Sequence, residues 1–510
     1  MQLAPLVATS EALTATSSRL AKRRLLAALL RDLTLDELPV ALGLLRGDPR
    51  QGRVGVGWNS LRAVEVATAA GPTLTLHDVD ATFDALATTA GSGSQTRRAA
   101  LLRSMMERAT AGEATFLWRV FAGEVRHGAL DGVLTDAVAE AEGVSVELVR
   151  RAAMFSGDLG IAAVVARAGG ADALAAVGLR VLQAVQPMLA STATDVAGAM
   201  AGAACSVEWK LDGARVQAHR RDGVVRLFTR NLNDITARLP DVVARVAALP
   251  GTTLVLDGEV LGVGDDGRPD AFQDTMSSFG ADAAGRSLRV WFFDVLHADG
   301  EDLVDVPLSV RRAVLERVVG PLAVPALATA DVAAADAFAA AALHAGHEGV
   351  VVKRLDSLYE AGRRGASWRK VKPVHTFDLV VLGAEWGHGR RTGRLSNLHL
   401  GARDERDGSF VMVGKTFKGL TDELLAWQTE RFEALAVERA PGVVMVRPEL
   451  VVEVALDGVQ RSRRYPGGLA LRFARVRRYR PDKDPAEADT LAALRQLLAR
   501  AVPSDGEASC

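Results

Sequence analysis

The sequence predicts a multi-domain protein in which a helical domain is followed by a mixed α+β domain and a small β-barrel. Three observations predict this organisation. The chain has 510 residues, enough for about three domains at roughly 150 residues each. Amphipathic helical runs dominate up to about residue 190, and β-type segments begin near residue 191. After residue 373, short strands surround a single helical insertion.

Residues 1–190 form the predicted helical domain, where runs such as ALTATSSRLAKRRLLAALLRDL alternate with short polar breaks. One break, GSGSQTRR at 91–98, places small residues and two arginines before a predicted helix. Exposed amides at a helix N-terminus beside Arg97 and Arg98 would suit a phosphate. An ordinary flexible loop is the alternative. The basic stretch GEVRHGALDGV at 123–133, which contains Arg126, is equally open.

Residues 191–373 form the predicted α+β domain. Its β-type segments are VEWKLDGARVQAHR, GVVRLFTRN, TTLVLDGEVLGV, LRVWFFDVL and GVVVKRL. Asp212-Gly213 and Asp222-Gly223 mark turns between strands. The domain ends at WRKVKP, where Pro373 restricts Lys372 to an extended conformation.

Residues 374–510 contain the short strands FDLVVLGAEW, LSNLHLGAR, SFVMVGKTF and VVMVRPELVVEVAL, interrupted by one helix. This pattern favours a small closed barrel of the oligonucleotide-binding type. The tail RSRRYPGGLALRFARVRRYRPDK follows and has eight arginines between 461 and 480.

Composition excludes several classes of protein. A net charge of −1 argues against a generic polyanion binder. The sequence contains no apolar run of about 18 residues, so no membrane span is predicted. The N-terminus lacks the pattern of a secretory signal. Cys205 and Cys510, the two cysteines, supply neither a four-cysteine zinc site nor a disulfide framework. We therefore expect a cytoplasmic protein.

Lysine use directs attention to the segment VEWKLDGAR at 207–215. The chain has only eight lysines, of which seven follow residue 200, and lysine can act as a nucleophile when it loses its proton. If the segment is a strand, Glu208, Lys210 and Asp212 share one face. A solvated ladder of salt bridges is the alternative explanation for this face.

Five further features accompany Lys210 in the two C-terminal domains. They are Arg230 in FTRN, Glu259 in LDGEVL, Phe293 in WFFDVL, Glu348 with Lys353 in EGVVVK, and Lys370 with Lys372 in SWRKVKP. Each alone is explained by a solvated strand end or by core packing. Together they predict a nucleotide site, with a lysine nucleophile, two carboxylates for Mg²⁺, an aromatic ring for a base and cations for phosphates.

The segment KLDGAR at 210–215 matches the K-x-D-G-x-R signature of the covalent nucleotidyltransferases, which include DNA ligases, RNA ligases and mRNA capping enzymes. Over essentially its whole length the chain resembles the three-domain bacterial type of ATP-dependent DNA ligase. The resemblance implies a DNA-binding all-α domain at 1–190, an ATP-grasp-like adenylation domain at 191–373, and an OB-fold domain with a basic C-terminal motif at 374–510.

The resemblance also implies roles in ATP binding. Lys210 becomes linked to AMP, Glu208 reads the adenine amino group, and Phe293 stacks on adenine. Arg215 and Arg230 reach the ribose or the nick phosphate. The remaining implied contacts are Glu259 with ribose and metal, Glu348 with metal, Lys353, Arg364, Lys370 and Lys372 with phosphates, and Asp212 with the reacting ends. Mg²⁺ is the expected metal, with Mn²⁺ as an alternative.

Flanking segments extend the resemblance. RFARVRRYRPDK, which contains Arg472 and Lys483, resembles the family's last motif, whose basic residues orient pyrophosphate. GSGSQTRR and GEVRHG resemble elements that contact nicked duplex DNA, so the implied contacts are Gly91, Ser92, Gly93, Ser94, Arg97 and Arg126. The departures are Ala474 where proline is usual and Leu256 where phenylalanine is common. We expect a monomer with a hinge near Lys372–Pro373.

Two other functions remain as alternatives. An RNA ligase or capping-type guanylyltransferase shares the central motifs, although those enzymes usually lack this N-terminal helical domain. A non-catalytic nick-binding protein would retain the fold without the chemistry. An NAD⁺-dependent ligase is disfavoured because its four-cysteine zinc element cannot be built from two cysteines.

Overall fold

The computed structural model of the protein describes residues 1–500 except 53, 58–63, 65–66, 129–130, 265–268, 270–274, 276–286, 361–363 and 389–390. For residues 287, 364, 499 and 500 it describes the backbone alone. Helices precede the large sheets along the chain, as the sequence predicts. Among the described residues, none of the helices combines the length and the apolar composition that a membrane crossing requires.

Helices form the first part of the chain up to residue 175. Their bounds are Leu3–Ala15 (α1), Arg19–Arg31 (α2), Glu37–Arg46 (α3), Leu76–Thr88 (α4), Ser94–Arg108 (α5), Ala111–Phe121 (α6), Asp131–Glu142 (α7), Val146–Ser156 (α8) and Leu159–Ala175 (α9). Their apolar faces share one core, in which Leu30, Phe83 and Val149 are buried. Thr75 explains where α4 begins, because it forms a capping box with Asp78.

Two five-stranded sheets form the middle part of the chain. The strands are Leu189–Thr192 (β1), Cys205–Trp209 (β2), Ala214–Arg221 (β3), Val224–Thr229 (β4), Thr253–Val263 (β5), Ser287–Ala298 (β6), Glu301–Asp302 (β7), Ala326–Thr329 (β8), Val350–Arg354 (β9) and Arg364–Val371 (β10). One sheet has the order β1-β10-β9-β2-β8 and the other β4-β3-β5-β6-β7. The helices between them are Val196–Met200 (α10), Pro240–Ala247 (α11), Leu308–Val319 (α12) and Val332–His344 (α13).

The prediction of one strand through Glu208, Lys210 and Asp212 is wrong. Strand β2 ends at Trp209, and β3 begins at Ala214 in the other sheet. Lys210 and Asp212 therefore lie in the loop that joins the two sheets. A continuous strand would keep both halves of the segment in one sheet, whereas the Asp212-Gly213 turn allows the chain to pass from one to the other.

Close backbone approach explains why Gly213 stands at this crossing. A Cβ atom at this position would lie 2.3 Å from the carbonyl oxygen of Val260 and 2.8 Å from the Leu261 side chain. Only glycine lets the loop pass this near to β5. The loop that carries Lys210 is therefore held against the sheet that carries Glu259.

The last part of the chain is a strand-rich region with two helices. Its strands are His375–Trp386 (β11), Leu395–Arg403 (β12), Phe410–Thr416 (β13), Ala436–Ala440 (β14), Val443–Val446 (β15), Val451–Leu456 (β16), Gly458–Arg461 (β17), Leu469–Arg472 (β18) and Arg475–Tyr479 (β19). Helices Asp422–Leu435 (α14) and Leu491–Arg500 (α15) accompany them. Long strand β11 pairs with β12, β15 and β16, and the enclosed core buries Leu379, Leu398 and Phe432.

Candidate active site

Lys210 lies in the loop between the two middle sheets, next to Glu348. Its backbone N–H donates to the Gly349 carbonyl at 2.8 Å, and the Glu348 N–H donates to the Lys210 carbonyl at 3.1 Å. The side chains then meet, because Lys210 Nζ forms an ion pair with Glu348 Oε2. The two side chains are 21% and 19% exposed. The predicted nucleophile and a predicted metal ligand are thus in contact at a site that solvent reaches.

The electrostatic setting of Glu348 favours its charged form. Burial alone would raise its pKa, but the positive charge of Lys210 and the hydrogen bond from it lower the pKa below the usual value. Lys372 and Arg472 act in the same direction from further away. Glu348 is therefore a carboxylate surrounded by cations.

Glu259, on β5, has the opposite setting. Burial raises the pKa of its carboxyl to about 7, and the positive charges of Lys210 and Arg215 offset only part of that rise. The carboxylates of Asp257 and Asp212 raise it further. Glu259 is half-buried by surface exposure, and a bound cation would stabilise the charged form of such a carboxyl.

The donor set around Lys210 fits a magnesium ion that binds together with a nucleotide. Among the residues that the structure describes, no group of three or more His, Cys, Asp or Glu side chains could hold a metal by itself. Mg²⁺ usually takes one or two protein carboxylates and completes its shell with substrate phosphates and water. Glu259 and Glu348 supply two carboxylates of that kind.

Glu208 lies at the buried end of the site, on β2. Lys353 Nζ is 2.6 Å from Glu208 Oε2, and Ser206 Oγ donates to Glu208 Oε1 at 3.0 Å. Lys353, predicted among the phosphate contacts, is buried here. Its Nζ donates to the Phe293 carbonyl at 2.9 Å and lies 4.1 Å from the centre of the Trp368 ring.

Arg215, at the start of β3, is held by its neighbours. Its guanidinium donates two hydrogen bonds to the Asp257 carboxylate, at 2.9 and 2.6 Å, and a third to the Met188 carbonyl at 2.8 Å. The Tyr359 hydroxyl also donates to Asp257, at 2.7 Å. Burial alone would lower the pKa of Arg215, but the Asp257 charge raises it above the usual value.

The other predicted nucleotide contacts lie on the same two sheets. The half-buried ring of Phe293, on β6, has the Arg215 guanidinium carbon 5.4 Å from its centre. Arg230 is exposed in the turn after β4. Lys370, on β10, is in register with Val351 of β9. The Arg364 side chain lies outside the described residues.

The C-terminal region reaches the site through its basic tail. Arg472, at the end of β18, has Nη1 2.9 Å from Asp212 Oδ2. Lys372 forms an ion pair with Asp457. Lys483, predicted near the phosphates, has its Nζ 2.6 Å from Asp378 Oδ2 on β11. Arg472 is thus brought to the Lys210 loop, whereas Lys483 contacts its own region of the chain.

The predicted DNA contacts of the N-terminal part form two surface turns. Helix α5 begins at Ser94, directly after Gly93, which has a φ of +71°. Arg97 folds back and donates to the carbonyls of Ser92 and Ala90, both at 2.9 Å. Gly91 also has a positive φ, of +78°. In the other turn, the exposed Arg126 forms an ion pair with Glu124.

Sequence reasoning missed several residues that hold the site together. Asp257 directly precedes the predicted Gly258-Glu259 pair, so its position was a usable signal. Trp368 likewise stands two residues before Lys370 in the quoted SWRKVKP. Tyr359 and Arg312 carried no such signal, because they lie outside the quoted motifs. Their contacts become visible only once the sheets are assembled.

Comparisons with known proteins agree with this geometry. A family model described as "ATP dependent DNA ligase domain" matches residues 187–372, "ATP dependent DNA ligase C terminal region" matches 391–483, and "DNA ligase N terminus" matches 59–139. A "Probable DNA ligase" of Pseudarthrobacter chlorophenolicus is 56% identical over 505 residues, covering 98% of this chain and 100% of the relative. A "Probable DNA ligase" of Beutenbergia cavernae is 55% identical over 511 residues, covering 98% of this chain and 99% of the relative.

The chain belongs to the ATP-dependent DNA ligase family. The ligase is therefore an enzyme that uses ATP and a divalent metal ion, and nicked DNA is its substrate. A solved structure called Pmar-Lig_PreS3 has the same fold, with a TM-score of 0.63 at 20% identity, covering 93% of the ligase and 99% of that chain. The nucleotidyltransferase domain and the C-terminal OB-type domain follow from these likenesses.

Proposed function

We propose that the ligase seals nicks in duplex DNA through an AMP adduct on Lys210. The contact between Lys210 Nζ and Glu348 Oε2 is the observation that carries this assignment, because it joins the signature lysine to a carboxylate 138 positions away in sequence. A nucleophilic amine beside cations and carboxylates suits attack on a nucleoside triphosphate. Arginine, the other cation in this chain, does not lose its proton in proteins.

Lys210 acts in the first of three steps. Its amine must lose a proton, after which it attacks the α-phosphorus of ATP; a P–N bond forms and pyrophosphate leaves. The AMP then passes to the 5′-phosphate of the nick, which frees Lys210. Finally the 3′-hydroxyl attacks that phosphate, the P–O bond of the sealed strand forms, and AMP leaves. Asp212 lies next to this chemistry and is proposed to face the reacting ends.

Glu259 and Glu348 are the proposed metal ligands. A divalent cation there would withdraw charge from the phosphoryl oxygens and from the departing pyrophosphate. The raised pKa of Glu259 supports the assignment, since a bound cation would stabilise the charged form of this half-buried carboxyl. The cations proposed for the phosphates are Lys353, Arg364, Lys370, Lys372, Arg472 and Lys483. A phosphate role for Lys353 requires it to leave its pair with Glu208.

The base and sugar contacts are proposed as follows. Glu208 accepts from the adenine amino group, and Phe293 stacks on the ring. Arg215 and Arg230 contact the ribose or the nick phosphate, and Glu259 contacts the ribose. The firm hydrogen bonds of Arg215 to Asp257 and Met188 support a fixed guanidinium that a substrate can use without reordering it.

The proposed domains are a DNA-binding domain at 1–190, an ATP-grasp-like adenylation domain at 191–373 and an OB-fold domain at 374–510, with a hinge at Lys372–Pro373. The first and last steps need different groups around Lys210, so the OB-fold domain would swing between them. The two N-terminal turns would contact the DNA backbone. A cytoplasmic monomer that acts on the nucleoid in replication, repair or recombination completes the proposal.

Intact mass of the purified protein with ATP and Mg²⁺ tests the assignment. The wild type should gain one AMP, and a Lys210→Arg variant of matched charge should gain none. Bound AMP acquired during expression is first removed with excess pyrophosphate. An adduct on the variant would assign the nucleophile elsewhere, and an adduct that only RNA ends discharge would indicate an RNA ligase.

A further inference from the structure

Glu208 Oε2 and Arg312 Nη1 are buried polar atoms in the same part of the site. Glu208 Oε2 contacts the Lys353 ammonium at 2.6 Å, whereas Arg312 Nη1 makes no hydrogen bond within the part of the chain that the structure describes. The side chains are 2% and 12% exposed, and Arg312 Nη1 lies 3.9 Å from the other carboxylate oxygen, Glu208 Oε1. Buried polar atoms without partners are rare in folded proteins and often mark a place where something else binds.

Arg312 is held so that only this nitrogen is left over. It lies on α12, where Nε donates to Glu316 Oε1 at 2.7 Å, one helical turn further on. Its Nη2 donates to the Val324 carbonyl at 2.7 Å. These two bonds fix the plane of the guanidinium, so the direction of Nη1 towards Glu208 is set by the fold. Nε and Nη2 are thus bonded within the fold, whereas Nη1 has the Glu208 charge 3.9 Å away and no hydrogen-bond acceptor of its own among the described residues.

Glu208 is likewise held in place. Ser206 Oγ donates to its Oε1 at 3.0 Å, and the positive charge of Lys353 lies 2.6 Å from Oε2. The Lys353 ammonium has three donors, and another of them bonds the Phe293 carbonyl at 2.9 Å. A carboxylate oxygen can accept more than one hydrogen bond, so Glu208 Oε2 can accept a second one beside Lys353.

An acceptor next to a donor is a pattern that few bases match. Adenine carries a 6-amino donor with an acceptor nitrogen on either side, N1 on one edge and N7 on the other. Guanine carries an oxygen acceptor at the same position, which would face Glu208 with repulsion. The pair formed by Glu208 Oε2 and Arg312 Nη1 therefore complements adenine and opposes guanine.

We infer that Arg312 is a base-specificity residue, whose Nη1 donates to N1 or N7 of adenine while Glu208 accepts from the 6-amino group. This inference rests on the proposed function, in which Glu208 contacts the adenine. Binding of ATP gives Arg312 Nη1 a partner and gives Glu208 Oε2 a second one. Nucleotides with a 6-oxo base place an acceptor against Glu208. A contact of Arg312 with N1 adds a second point of discrimination, because guanine N1 carries a hydrogen, whereas a contact with N7 adds affinity without discrimination.

Single-turnover adenylylation with ATP analogues tests the inference. The wild type is compared with Arg312→Met, Arg312→Lys and the control Arg317→Met, which removes an exposed arginine from the same helix. Each protein is titrated with ATP, with 1-deaza-ATP and with 7-deaza-ATP, and the half-saturating concentration and the maximal rate are recorded. Circular dichroism melting of each variant shows whether it is folded.

We expect Arg312→Met to raise the half-saturating ATP concentration by about tenfold or more, the usual effect of losing one charge-assisted hydrogen bond. The maximal rate should change much less, and Arg317→Met should leave both unchanged. One deaza analogue should be bound more weakly than ATP by the wild type. Arg312→Met should not weaken that analogue further, because the acceptor is already gone. Whether this is the 1-deaza or the 7-deaza compound identifies the nitrogen.

Two results would overturn the inference. One is a wild type that binds both deaza analogues as well as ATP, a measurement that holds even if the Arg312 variants fail to fold. The other is an equal loss for ATP and both analogues in Arg312→Met, which would make Arg312 purely structural. A wild type that forms no adduct with ATP at all would instead contradict the proposed function.

Discussion

Arg472 Nη1 lies 2.9 Å from Asp212 Oδ2, so an ion pair joins the basic tail of the C-terminal region to the loop that carries Lys210. The contact links strand β18 to the crossing between the two middle sheets. Both side chains remain partly exposed, so the pair could open without uncovering a buried charge. Arg472 therefore contacts the loop that carries Lys210, two residues along the chain from that lysine.

Arg472→Met should slow self-adenylylation more than it slows sealing of a nick that already carries AMP. In the proposed function Arg472 would add positive charge where pyrophosphate leaves, and sealing releases no pyrophosphate. Loss of one such charge-stabilising group costs on the order of a hundredfold to a thousandfold in rate. Both steps are measured as single turnovers, with Arg431→Met, which removes an exposed arginine from α14 outside the motif, as the control. Equal losses in the two steps would contradict a role specific to adenylylation.

Glu259→Gln should change how stability depends on pH. Because the pKa of folded Glu259 is raised from 4.5 to about 7, its stabilising contribution is present below pH 4.5 and is lost as pH rises through about 7. Glutamine does not ionise and so removes that loss. Relative to wild type, the free energy of unfolding of the variant should therefore rise by on the order of 1–3 kcal/mol between pH 5 and pH 8.

Urea unfolding of both proteins at pH 5 and at pH 8, without metal, measures this difference. Glu301→Gln, an exposed carboxyl on β7, is the control. If the difference in unfolding free energy between Glu259→Gln and wild type is the same at the two pH values, the pKa of this carboxyl is not raised by folding.

Tyr359→Phe should destabilise the ligase. The Tyr359 hydroxyl donates to Asp257 at 2.7 Å and accepts from the Met188 N–H at 3.0 Å. Phenylalanine keeps the ring and leaves both partners buried without that bond, at a cost of about 1–3 kcal/mol. Thermal or urea unfolding measures this loss of stability, with Tyr465→Phe in the C-terminal region as the matched control. A variant as stable as wild type would mean that the hydroxyl is dispensable for the Arg215 network.

Arg126→Ala should weaken binding to nicked duplex and make it less dependent on salt. If Arg126 contacts one phosphate, the slope of log affinity against log salt should fall by about 0.9. Fluorescence anisotropy at several salt concentrations measures the slope. An affinity for DNA that does not depend on salt would rule out backbone contacts as its main source.

The motifs predicted the partners of Lys210 better than they predicted its local structure. Glu348 and Glu259 follow in the family's order, and the fold brings both to the Lys210 loop. The segment 207–215 looked like one strand because its polar and apolar residues alternate, yet the chain leaves β2 at Trp209. Alternation gives the side of a strand on which each residue would lie, and it does not say where a strand changes sheets.

Residues that act through another side chain were beyond sequence reasoning. The pairing of Lys353 with Glu208 needs β2 and β9 in register, and the approach of Arg312 needs α12 packed against β6 of the other sheet. Lys483 shows the converse, because a basic residue in a recognised motif contacts Asp378 of its own region. Charge and motif predicted the type of each group, whereas its partner depends on the assembled sheets.

Transfer of AMP from the isolated adduct tests the central claim most directly. Wild-type ligase is labelled with ATP and freed of nucleotide, and one equivalent of nicked duplex is added with Mg²⁺ and no ATP. We expect that the AMP leaves Lys210, appears on the 5′-phosphate, and is released as one sealed strand forms per adduct. An adduct that stays on the protein, or strands sealed without its loss, would contradict a lysyl-AMP route through Lys210.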